Sequence, residues 1–200
     1  MNSQPAGNHY DKYHTRNPIA RRLMQGFLSD FDLLSSRVPP GDVLEVGCGE
    51  GELSIRLARK GCRVRGCDIA PEVVEEARRR AESASVEVAF WAQGIQDLSE
   101  TEASELVICC EVLEHLEHPD AGLDTLAKLA SPWLLTSVPR EPIWRAMNMA
   151  RGKYLDAWGN TPGHLNHWSR ASFLRFLSRR FDIVQVATPL PWTMALCRSR

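Results

Sequence analysis

Three glycines at alternate positions, Gly47, Gly49 and Gly51, punctuate the run DVLEVGCGEGEL at residues 42–53. Glycine adopts positive φ without steric cost and lets a ligand approach the main chain. Asp68 follows at the end of a second apolar stretch, where a carboxylate can accept hydrogen bonds from a ribose diol. A glycine turn plus such an acid suits a nucleoside-containing ligand. The dinucleotide fingerprint GxGxxG would need glycine at 52, and that residue is Glu52. The carboxylates of Glu50 and Glu52 would also repel a pyrophosphate. A ligand with no phosphate and a positive centre fits better, and S-adenosylmethionine is one. Further along, His115, His164 and His167 are candidate proton acceptors or substrate ligands. Glu111, Glu114 and His115 form E-x-x-E-H, which a helix would bring near one face. Carboxylates with imidazole can hold a divalent ion such as Mg²⁺ or Mn²⁺.

Strand-like and helix-like segments alternate around these residues. Apolar spacing predicts a helix from Pro18 to about Arg37, stopped at Pro39-Pro40-Gly41. Strands are expected at 43–46, 63–69, 86–91, 106–110 and 133–138, and helices at 51–61, 71–82 and 122–130. This rhythm argues for a parallel sheet with helices on both faces. Residues 140–168, rich in Trp, Arg, Asn and His, break it and fit an insertion over the strand ends. A helix at RASFLRFLSRRF and two strands, DIVQVAT and WTMALCR, complete the chain. The short PLP link makes that last pair antiparallel. The expectation is one doubly wound, Rossmann-like domain of seven strands, mostly parallel with an antiparallel last strand. Its parts are a tail and lid helix at 1–40, a ligand-binding core at 41–139, the insertion at 140–168 and a closing segment at 169–200.

Composition narrows the class. Lys and Arg number 24 against 25 Asp and Glu, a formal charge of −1, so a general nucleic-acid binder is disfavoured. No apolar run approaches the ~20 residues of a membrane span. The polar start MNSQPAGNHYDKYHTRNP is not a signal peptide. Six cysteines without a CxxC pair read as buried thiols of a reducing cytoplasm.

E-V-G-C-G-E-G followed by C-D-I resembles the first two motifs of the class I S-adenosylmethionine-dependent methyltransferases. EVLEHLEHP at 111–119 resembles the segment after the fourth strand in the group that includes the ubiquinone-biosynthesis O-methyltransferases. The resemblance covers roughly residues 40–140. It implies that Glu45, Gly47, Cys48, Gly49 and Gly51 surround the methionine end of the cofactor, and that Asp68 holds the ribose. Ile69 would lie against the adenine, with Ile95 and Gln96 in the loop beside it, though Ile95 suits a core position equally. Cys110 and Glu111 would close the site. The acid common after the third strand in this group is absent from QGIQDLSE, where Gly94 stands. Tyr13, with Tyr10 and Arg16, is placed to fold over the cofactor's amino-acid end.

Methyl transfer from a sulfonium is an in-line displacement and needs a base only when the nucleophile must lose a proton. The expected acceptor is a small molecule (a metabolite, lipid precursor or glycan intermediate) methylated at oxygen. Trp144, Trp158 and Trp168 of the insertion would shape an apolar pocket or form lid core. No metal is expected. The alternative, in which Glu111, Glu114 and His115 hold one together with a later histidine, His164 or His167, resembles the small-RNA 2′-O-methyltransferases. A cofactor-binding module without catalysis is a further alternative, and a dehydrogenase stands furthest from these motifs.

Overall fold

The computed structural model describes residues 17–39 and 41–200; Tyr10, Tyr13 and Arg16 lie outside them. The first helix, α1 (Pro18–Ser35), starts where the Asn17 side chain accepts from the backbone N–H of Ile19 and Ala20, with Pro18 at its first turn. Its buried stripe is Met24, Phe27, Phe31 and Leu34. Each large side chain removed from water there contributes about 1.5–3 kcal/mol.

Strands β1 (Asp42–Val46), β2 (Arg63–Asp68) and β3 (Val88–Ala92) alternate with helices α2 (Glu52–Ala58) and α3 (Pro71–Ser83). Strand β4 (Ser104–Cys110), helix α4 (Pro119–Leu129) and strand β5 (Ala130–Pro139) follow. The insertion holds helix α5 (Ile143–Ala150) and a series of tight turns. Helix α6 (Arg170–Leu177) and strands β6 (Phe181–Ala187) and β7 (Trp192–Ser199) end the chain.

The seven strands lie in the order β3-β2-β1-β4-β5-β7-β6. The first five are parallel, and β7 runs antiparallel to both β5 and β6. This is the expected architecture, with shifted boundaries. The third strand lies at 88–92 instead of 86–91, and β5 begins at Ala130, where the preceding helix was expected to end.

Alternation along the central strands divides the core in two. Leu44, Val46, Val107 and Cys109 face the layer containing Leu123, Leu126, Phe173 and Leu177, whereas Val43, Leu106 and Ile108 face Phe27, Phe31, Leu53 and Leu57. The strand order reverses direction between β1 and β4. A crevice beyond the carboxyl ends of those two strands is where such sheets bind ligands.

Candidate active site

The turn after β1 is built from backbone geometry. Gly47, Gly49 and Gly51 have φ of +72°, +52° and +81°. The N–H groups of Gly47 and Cys48 donate to Cys67 O at 2.8 and 2.9 Å, which ties the turn to the end of β2. The three glycines serve different ends. A Cβ on Gly47 would stand 2.2 Å from Cγ2 of Val112, so this glycine lets the segment after β4 pack on the turn. A Cβ on Gly51 would meet Phe90 at 2.9 Å and Ala77 at 3.1 Å, so Gly51 serves packing against β3 and α3. Gly49 alone of the three faces open space, with nothing within 4 Å of its Cβ position.

Beneath the turn Glu45 is buried and accepts the Ser54 hydroxyl at 2.5 Å, so it braces the cradle from inside. Burial, with Glu45 nearby, pushes the Cys48 thiol far above its ordinary range; burial first, against the Gly47 backbone hydrogen bond and with Asp68 and Glu45 adding to it, lifts Cys67 to about 12. Neither thiol is a nucleophile.

Asp68 accepts from Gly49 N–H at 2.9 Å through Oδ2 and from Ala70 N–H at 3.1 Å through Oδ1. It fixes the glycine turn and the start of α3 at once. A carboxylate offers about four lone-pair sites, so it can still accept from a diol. Ile69 next to it is 49% exposed, an apolar face on the rim of the crevice. Past β3, Gln93 N–H donates to Asp68 O at 2.8 Å. Gln96 is exposed, while Ile95 is buried in the main core, which favours the core role for that isoleucine. Cys110, at the end of β4, is buried on the α1 side.

The E-x-x-E-H segment departs from the sequence expectation. Glu111 is not helical; it stands at φ +61°, and a short 3-10 turn begins only at Leu113. Its carboxylate is taken up by partners from β5 and β7. Oε1 accepts Ser137 Oγ–H at 2.9 Å and Oε2 accepts Trp192 Nε1–H at 2.6 Å. The place Glu111 was expected to take beside Glu114 and His115 is filled by His164. One ligand atom from each of Glu114, His115 and His164 lies within 4.8 Å of the others.

The insertion is sewn onto this segment. Its base is pinched where Glu141 N–H donates to Trp168 O at 2.9 Å. Leu165 and Asn166 donate their N–H groups to Glu114 O, and Asn166 Nδ2 donates to Leu116 O at 2.6 Å. His115 Nδ1 lies 2.9 Å from Gly163 O. A carbonyl only accepts, so Nδ1 carries a proton and Nε2 is the nitrogen that can act as acceptor when the ring is neutral. The buried His164 ring meets His115 edge to face at 4.9 Å and stacks on Trp144 at 5.7 Å. His167 stands apart from this pair, with Nε2 2.7 Å from Asn160 Oδ1. Trp168 packs into the main core and Trp158 is 76% exposed, so Trp144 is the insertion tryptophan that faces the site. Ser137 and Trp192, unremarked in the sequence, enter through sheet pairing that no local pattern announces.

An open glycine cradle, an acid on the second strand and a histidine-bearing segment after the fourth define a class I S-adenosylmethionine-dependent methyltransferase domain. Residues 43–132 match the family described as a methyltransferase domain. The chain is 34% identical over 147 residues to the ubiquinone biosynthesis O-methyltransferase of Xanthomonas oryzae pv. oryzae, covering 71% of this chain and 58% of the relative. It thus spans under two thirds of the length of the curated relatives it matches first. In fold it is similar to magnesium protoporphyrin IX methyltransferase from Synechocystis PCC 6803, with bound SAH (TM-score 0.73, 24% identity, 94% of this chain and 91% of that one). It is also similar to the N-methyltransferase NodS of Bradyrhizobium japonicum WM9 (TM-score 0.67, 21% identity, 97% and 93%).

Proposed function

We propose that this protein transfers the methyl group of S-adenosylmethionine to an oxygen of a small molecule, a metabolite, lipid precursor or glycan intermediate. The carrying observation is the pairing of an open cradle at Gly49 with a histidine whose proton position is set. The residues fit the cofactor: Gly49 leaves room against the main chain, Asp68 keeps acceptor capacity for the ribose, and Ile69 offers an apolar face to the base. Glu50 and Glu52 beside the turn are tolerable to a ligand without phosphate and hostile to a dinucleotide.

The cofactor, when bound, supplies an electrophilic methyl group on a sulfonium. The chain's own residues orient and deprotonate. Gly163 O holds the His115 ring by Nδ1–H, which makes Nε2 the ring nitrogen that takes the proton of an acceptor hydroxyl as its oxygen attacks. His115 is exposed and can be reached; His164, buried between it and Trp144, supports its ring. The small-molecule reading is supported by the near-neutral charge and by the named O-methyltransferase relatives. Six free thiols suit a cytoplasmic setting. Among the described residues no helix is long and apolar enough to cross a membrane.

The test supplies radiolabelled methyl donor with cell extract split into small polar molecules, lipids, RNA and protein, against a Gly47→Arg control. Label in the small-molecule or lipid fraction supports the reading, and His115→Ala should then lower the rate at least tenfold, about 1.4 kcal/mol of barrier. An unchanged rate in His115→Ala would remove the base assignment.

A second reading is favoured by the donor set of Glu114, His115 and His164, which suits a divalent ion assisting 2′-O-methylation of RNA. One ligand atom from each of these side chains lies within 4.8 Å of the others, close enough for a single ion to be shared. Label in the RNA fraction, abolished by excess chelator, would select this reading.

A further inference from the structure

Glu111 sits in a backbone region that non-glycine residues rarely occupy, at φ +61°. Such a conformation persists where the surroundings over-determine it. Two side-chain donors do so here, Ser137 Oγ from β5 and Trp192 Nε1 from β7. Trp192 is itself wedged, 5% exposed, with its ring 5.1 Å from Phe27 of α1 and 5.8 Å from Trp144 of the insertion. The indole N–H is buried with the ring, and a charged acceptor makes its hydrogen bond a strong one.

The residue after Glu111 is Val112, whose methyl fills the space left by the missing side chain of Gly47. The backbone path is therefore short: Trp192 holds the Glu111 carboxylate, Glu111 holds the left-handed turn, and that turn seats Val112 on the cofactor cradle. On its other face Trp192 reaches Trp144, which stacks on His164 beside His115. We infer that Trp192 is a positioning residue: through Glu111 it sets the shape of the cofactor cradle, and through Trp144 it keeps the histidine side in register with it. This rests on the methyltransferase reading only for the identity of the ligand.

The probe is S-adenosylhomocysteine, with affinity measured by calorimetry and folding by thermal denaturation. Trp192→Phe keeps the ring packing and loses the donor. Glu111→Gln keeps the shape and loses the charge. Each should weaken binding about fivefold or more, and the double variant should bind about as well as the weaker single, because one link is broken in all three. A residue that only fills space would lower the melting temperature and leave the affinity of the folded protein unchanged. Wild-type affinity in both folded singles, or multiplying losses in the double, would overturn the inference. If Trp192→Phe does not fold, Glu111→Gln and Ser137→Ala carry the same test from the other end of the link. A wild-type protein that does not bind the probe would instead remove the functional reading itself.

Discussion

At the residue scale the glycine turn separates two roles that look alike in sequence. Gly47 and Gly49 both have positive φ, but the first is closed by Val112 and the second is open. Alanine at either site carries a left-handed strain of about 1–2 kcal/mol. At Gly47 it adds a collision, so Gly47→Ala should lose both stability and cofactor affinity. Gly49→Ala should keep its fold with a melting temperature a few degrees lower, yet bind S-adenosylhomocysteine at least about tenfold more weakly. Equal binding losses with equal melting losses would show that Gly49 is structural too. The turn and Asp68 were legible because backbone demands leave glycine at fixed places and an acid at a strand end. Glu111 was not. Its partners stand 26 and 81 residues away, and a helical reading of E-x-x-E-H hid the break that sends its carboxylate to them.

At the element scale, the strands and helices could be read from period and punctuation, and the insertion could not. Pro71 marks a helix start because proline's fixed φ suits the first turn, whereas α4 opens at Pro119, three residues before the start expected at 122. Within 140–168 composition offered several tryptophans and no geometry; burial distinguishes Trp144 and Trp168 from the exposed Trp158. The placement of α1 also depends on a contact that its apolar stripe does not reveal. Asp32 accepts from Arg56 Nε at 2.7 Å and from Lys60 Nζ at 2.5 Å, clasping α1 to α2 and the turn that follows it. The Arg56 hydrogen bond is the main cause holding the Asp32 carboxyl below its ordinary 3.8, against an opposing desolvation. A depressed folded value means that the stabilisation is present above the unfolded value and is lost as pH falls through the folded one. Asp32→Asn should therefore lower the melting temperature at neutral pH, and its deficit against wild type should shrink as pH falls from the unfolded value through the lowered folded one. A deficit that persists in acid would assign the effect to helix packing instead.

At the scale of the whole molecule, the sheet order puts β1 and β4 at the centre, covered on both faces. The cysteines report on that cover. Cys48, Cys67, Cys109, Cys110 and Cys197 are buried, and Cys62, in the link between α2 and β2, is half-buried. Burial lifts the Cys67 and Cys197 thiols to about 12 and Cys109 well above its ordinary value. The thiolate is the reacting species, so these groups are silent while the fold is intact. Their positions lie on strands that differ in stability only if the sheet opens in parts. If the central sheet opens as one unit, a thiol-reactive aromatic disulfide at about pH 8 should label Cys62 alone in the native protein. The five buried thiols should then react together, at a single slow rate that denaturant accelerates. A bound ligand across β1, β2 and β4 should slow that shared rate and leave Cys62 unchanged, because it stabilises the folded state as a whole. Separate rates, with Cys197 of the antiparallel β7–β6 pair reacting ahead of Cys67 and Cys109, would show instead that β7 detaches from the parallel strands. Trp192 would then leave Glu111 before the cradle itself comes apart.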